Sequence, residues 1–116
     1  MQFGYGKDRK FQYLACSRST SPQALKTQVP KLQSGLELIT LSSGGNDVGL
    51  SDLLDACVFQ WSIPGTTAKC ETQLKKTTDL ISKTLPGNLD KLYAAVKPKL
   101  ASYAKTYVTG YAKFFG

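Results

Sequence analysis

The residues with the clearest chemical reach are Gly44-Gly45-Asn46-Asp47, which directly follow the apolar run Leu36-Glu37-Leu38-Ile39-Thr40-Leu41. Glycines let a backbone turn sharply and approach a ligand closely. An asparagine on such a turn can aim its side-chain amide at a developing oxyanion, the task that backbone N–H groups also perform. These residue types are also the commonest turn formers, so on the tetrapeptide alone the ordinary turn reading wins. Ser17, Ser19, Ser42 and Ser43 stand on the two loops that could carry nucleophilic chemistry. No lysine stands beside them in a recognisable motif, and the chain holds no histidine. A serine without a base is a turn or cap residue rather than an activated nucleophile.

The elements that must position these residues read as follows. Phe11-Gln12-Tyr13-Leu14-Ala15-Cys16 is a short strand candidate. Ser21-Pro22 predicts a helix N-cap followed by proline at the first helical position, with Ala24, Leu25 and Val29 turned inward until Pro30. The run 36–41 predicts a strand of a buried parallel sheet, covered on both faces. Ser51 predicts a cap for a helix through Leu53, Leu54 and Ala56. Leu74, Thr78, Ile81 and Leu85 repeat at helical spacing, and Pro86-Gly87-Asn88 then breaks the chain. Leu89, Leu92, Tyr93, Val96 and Leu100 form a further stripe that Pro98 should end or kink. Thr106 to Tyr111 is the last strand candidate. Strands alternating with helices predict an α/β fold with parallel strands, whose working loops lie beyond the strands' carboxyl ends.

At 116 residues the chain is at most one domain, and with 41% hydrophobic and 20% charged residues its balance is globular, not disordered. The net charge of +7 is concentrated late, nine Lys against three acids over residues 59–116. Those lysines are scattered singly along amphipathic stretches without interleaved stacking aromatics, so a solvated basic face ranks well above nucleic-acid binding. No apolar run is long enough to span a bilayer. Residues 1–10 are polar and glycine-rich and lack the apolar centre of a signal peptide, which leaves an intracellular protein or an N-terminus that lies elsewhere. Cys57 and Cys70 bracket a loop with Trp61, Pro64 and Gly65 suited to a local disulfide, leaving Cys16 unpaired; three reduced thiols is the alternative. With no histidine and no Cys-x-x-Cys pair, nothing calls for zinc or any other cofactor.

Taken in order, more than the tetrapeptide agrees. Phe11 to Ser17, Gln28-Val29-Pro30-Lys31-Leu32, Leu38 to Gly49, Asp52-Leu53-Leu54-Asp55-Ala56-Cys57 and Tyr107 to Phe115 together resemble the SGNH (GDSL-like) hydrolases, in particular their secreted fungal-type members. The resemblance covers nearly the whole chain from Phe11 onward. It implies a flavodoxin-like three-layer α/β/α sandwich and hydrolysis of carboxylic esters in lipids or acylated sugars. It also implies a secreted protein that takes a small-molecule ester, with no nucleic-acid partner and no cofactor. By that resemblance Asn46 is the oxyanion-hole side chain, Gly44, Gly45 and Asp47 support its loop, and Arg18 occupies the position of a glycine whose backbone N–H donates.

Two blocks of the family pattern are missing: there is no Gly-Asp-Ser nucleophile block, and no Asp-x-x-His block. The expectation is therefore residues 11–116 as a partial domain, first and last strands absent, a fragment inactive as an isolated chain. By the resemblance it supplies strands two, three and four of the sheet, with a gap where the first would lie. A non-catalytic binding protein that kept the scaffold is the alternative.

Overall fold

The computed structural model describes residues 10–59 and 66–111. Trp61, Pro64, Gly65 and the stretch Ala112 to Phe115, which entered the sequence reading, lie outside the described residues, as do residues 1–9.

The order is α1 (Ser21–Thr27), a short 3-10 helix (Val29–Lys31), β1 (Leu36–Leu41), α2 (Leu50–Cys57), α3 (Thr66–Lys83), α4 (Leu85–Val96), a second 3-10 turn (Lys97–Lys99) and β2 (Leu100–Val108). The fold is α/β, and β1 and β2 pair in parallel, with Leu38 beside Lys105 and Leu41 beside Val108. A parallel pair needs a long crossover, which α2, α3 and α4 supply. The core is small: Ala24, Val29, Leu92 and Val96 are buried, with Ile39, Leu41 and Leu100 packed against them. The sheet thus buries one face on α1 and α4. Tyr103 on β2 donates its hydroxyl to Glu37 Oε1 on β1 at 2.7 Å, a bond that holds the phenol above its usual pKa.

Several expectations need correction. Residues 11–16 form no strand; Phe11 and Tyr13 are exposed, and the segment is tied down through Gln12, whose amide donates to Lys31 O at 2.7 Å and accepts from Gln33 N at 3.2 Å. An extended segment becomes a strand only by laddering with a neighbour, and none adjoins it among the described residues. Nor is β1 covered on both faces: alternation sends Ile39 and Leu41 inward and leaves Leu38 57% exposed.

The helix boundaries also shift. Thr20, not Ser21, caps α1, in a reciprocal capping box with Gln23, and Ser21 is buried in the first turn. Gly49, at φ 69°, stands at the cap position of α2, and Ser51 lies inside that helix. Pro86 does not break the chain but starts α4, where the first turn needs no N–H from it. Leu100 opens β2 rather than closing the preceding helical stripe, because Pro98 has already ended that helix.

Candidate functional site

The Gly-rich segment leaves β1 and enters α2 as a compact loop. Its own backbone folds it: Val48 N–H donates to Gly44 O at 3.2 Å, and Leu50 N–H to Gly45 O at 2.9 Å. Gly44 takes φ 122°, open to glycine and strained for other residues, and a Cβ there would stand 3.3 Å from a Leu85 methyl of α4. Gly44 and Gly45 are buried, Asp47 is half-buried, and Asn46 is exposed between them.

The loop is held from four directions. Asp47 Oδ2 accepts from Ser21 N–H at 2.8 Å and from the Ser21 hydroxyl at 3.0 Å, which binds the loop to the start of α1. Its other oxygen, Oδ1, accepts from Asn88 Nδ2 on α4 at 3.1 Å. Thr77 of α3, itself buried, donates to Val48 O at 3.1 Å. Beyond β2, the Tyr111 hydroxyl accepts from Gly45 N–H at 3.0 Å. Such a loop presents its exposed asparagine from a fixed base.

Opposite Asn46 lies the turn of residues 16–19, closed by Ser19 N–H donating to Cys16 O at 3.3 Å. Arg18, its third residue, has φ 61° and is the one non-glycine residue with positive φ among the described residues. That is the position a type II turn reserves for glycine. Asn46 Nδ2 donates to Ser19 O at 3.1 Å, so the two loops are stitched together. One N–H of the Asn46 amide is thereby used to fix its orientation; the second, like the Arg18 backbone N–H, makes no hydrogen bond among the described residues. Arg18 and Asn46 line the same cavity, of about 360 Å³.

Two of the four candidate serines, Ser19 and Ser43, are otherwise engaged. Because the Ser21 hydroxyl donates to Asp47, the Ser43 hydroxyl, 2.8 Å away, must donate to Ser21. Ser19 Oγ accepts from Gln28 Nε2 at 3.1 Å. These are structural bonds and no basic group takes part in them. Ser21, Thr77, Asn88 and Tyr111 escaped the sequence reading as supports of this loop, since each acts across more than 25 positions.

Cys57 and Cys70 form a disulfide that joins the end of α2 to the first turns of α3, and Cys16 is a free, exposed thiol. Among the described residues no group of three His, Cys, Asp or Glu is placed to hold a metal ion. None of their helices is long and apolar enough to cross a membrane.

No family model matches the chain. It is 34% identical over 105 residues to Lipase 1 of Streptomyces coelicolor and 33% identical over 106 residues to a lipase of Streptomyces rimosus, covering 90% and 91% of itself. The likeness is to lipases. The chain spans only 37% of the length of each of these relatives. Among solved structures it resembles phospholipase A1 from Streptomyces albidoflavus NA297, with a TM-score of 0.75 and 33% identity over 89% of this chain and 41% of that one. The extracellular lipase of Streptomyces rimosus gives the same TM-score at 30% identity, over 92% of this chain and 44% of that one.

Proposed function

We propose that this chain is the oxyanion-stabilising part of a secreted serine ester hydrolase of the SGNH type, acting on carboxylic esters of lipids or acylated sugars, and that these 116 residues alone do not turn esters over. The observation that carries the reading is Asn46: an exposed amide on a buried, four-way-anchored loop, oriented by Ser19 O and sharing a cavity with Arg18. A tetrahedral intermediate's oxygen is stabilised by preorganised N–H donors, the part this reading gives to the Asn46 amide and to the Arg18 backbone.

The missing half of the chemistry follows from composition. Acyl transfer by serine requires an imidazole or equivalent base beside the hydroxyl, and the chain has no histidine. Of the serines near the site, Ser19 and Ser43 are tied up in structural hydrogen bonds. The relatives found are Streptomyces enzymes, so the reading is drawn at the level of the SGNH type and not of its fungal-type members. Export is supported by the extracellular Streptomyces rimosus lipase and by the Cys57–Cys70 disulfide, which belongs to an oxidising compartment.

A segment exchange tests the reading. The stretch of the Streptomyces rimosus lipase that matches this chain is replaced by this chain's residues, leaving the host's remainder intact. The exchanged enzyme should hydrolyse a chromogenic short-chain ester, while the isolated 116-residue chain should not. A folded exchanged enzyme without activity contradicts the proposal, as does turnover by the isolated chain that disappears when one of its own serines is replaced.

A further inference from the structure

Among the described residues the Asn46 side chain has one hydrogen-bond partner, Ser19 O at 3.1 Å. A side-chain amide carries two N–H groups in one plane, so the acceptor that takes the first also sets the direction of the second. Whatever fixes Ser19 therefore aims the N–H that Asn46 leaves free. Ser19 belongs to a turn preceded by exposed residues at 15–18, and the Cys16 thiol reaches only Leu14 O in the same segment. Burial does not hold such a turn in place.

Every polar group of Ser19 has a partner. Its N–H donates to Cys16 O at 3.3 Å and closes the turn, and its carbonyl takes Asn46. Its hydroxyl accepts from Gln28 Nε2 at 3.1 Å. Apart from Asn46 itself, this is the one hydrogen bond that ties residues 16–19 to another element among the described residues. Gln28 offers a rigid base for it. Its N–H donates to Ala24 O at 2.9 Å and closes α1, while its carbonyl accepts from Lys31 N–H at 3.0 Å. Ala24 and Val29, on either side of it in the chain, are core residues with Leu92 and Val96. The end of α1 uses only the Gln28 backbone, so helix capping does not account for where its side chain goes.

We infer that Gln28 is a positioning residue for the Asn46 amide, acting through Ser19. The line runs from the core at Val29 through Gln28 and Ser19 to Asn46, by two hydrogen bonds of 3.1 Å. Gln28 acts at one remove: it holds the serine whose carbonyl orients the amide. The same tie steadies the peptide of Arg18, held at φ 61° directly before Ser19. Aim matters because a hydrogen bond weakens steeply as its angle closes, and a donor acts on a transition state only if it is oriented beforehand. The consequence for catalysis rests on the oxyanion reading, but the orientation of the amide can be measured without turnover.

The first measurement follows the Asn46 side-chain amide by nuclear magnetic resonance in the isotope-labelled 116-residue chain. Gln28→Leu, which keeps the bulk and removes the donor, should move its resonances toward those of a solvated amide and speed their hydrogen exchange. Gln28→Glu, whose carboxylate accepts the Ser19 hydroxyl instead, should restore them. The second is kcat of the segment-exchanged Streptomyces rimosus lipase. Gln28→Leu should lower it about five- to tenfold with KM unchanged, the worth of one neutral hydrogen bond. Ser19→Ala, which spares the carbonyl, should lose as much, and the two together no more than either alone. Gln12→Ala releases the neighbouring segment from Lys31 and Gln33 without touching Ser19, and should change neither the Asn46 amide nor kcat. An Asn46 amide indifferent to Gln28→Leu overturns the inference, as do additive losses in the pair or an equal loss in Gln12→Ala. So does an unchanged kcat in Gln28→Leu where Asn46→Ala is impaired. Undiminished kcat in Asn46→Ala would instead sink the oxyanion reading, and the amide resonances would still judge Gln28.

Discussion

The hydroxyl of Tyr111 accepts the backbone N–H of Gly45 at 3.0 Å, joining residues 66 positions apart. The contact closes the Gly-rich loop against the chain beyond β2. It also explains why residue 45 is glycine: a Cβ there would stand 2.7 Å from the tyrosine ring and hydroxyl. The backbone at Gly45 is not left-handed, so close approach and not conformational freedom sets the requirement.

Tyr111→Phe removes the partner of a part-buried N–H and should cost about 1 kcal/mol in urea denaturation. The Gly45 amide should exchange its hydrogen faster than in the unsubstituted chain. Unchanged exchange at Gly45 would show that the hydroxyl does not hold the loop.

Asp47 is the heavier anchor, since its carboxylate gathers two donors from Ser21 and one from Asn88. Asp47→Ala should destabilise the fold by about 2 kcal/mol, because donors on both α1 and α4 lose a charged acceptor. Asn88→Ala, which removes one bond, should cost about half as much. Equal losses in the two variants would contradict this division.

Arg18 sits at φ 61°, a backbone region that costs an L-residue with a Cβ about 1 kcal/mol. Asparagine tolerates it better, so Arg18→Asn should raise the thermal midpoint, by no more than the few degrees that about 1 kcal/mol allows in a small domain. A lower midpoint would mean that the arginine side chain stabilises the turn.

The disulfide between Cys57 and Cys70 spans 13 positions and ties α2 to α3. Replacing both cysteines with serine should lower stability by about 3 kcal/mol in the chain-entropy account. Thr77 donates to Val48 O from the same helix α3, so the loop's amides should lose protection along with the helices. Loss of stability with the loop's protection intact would uncouple the disulfide-linked helices from the site.

What the sequence made legible was local. The strand at Leu36–Leu41 could be read because an apolar, partly β-branched run ends abruptly in glycines, and the Cys57–Cys70 pair because its spacing closes an ordinary loop. The parallel α/β class followed from alternation of elements. The boundary of β2 was hidden because Leu100 sits four residues after Val96 and so continues a helical period across Pro98. Residues 11–16 have strand composition, yet a strand exists only through its neighbours, which composition does not encode. At the site, the turn that carries the exposed Asn46 could be read from its glycines. The ties from Thr77, Asn88 and Tyr111 could not, because a hydrogen bond between distant positions leaves no periodic trace.

The most direct measurement is kcat for ester hydrolysis by the segment-exchanged Streptomyces rimosus lipase with and without Asn46→Ala. Loss of a preorganised oxyanion donor should lower kcat by about 100- to 1,000-fold with little change in KM. An unchanged kcat in a folded, active exchanged enzyme would mean that Asn46 is only a turn residue, and the assignment of this loop to oxyanion stabilisation would be wrong.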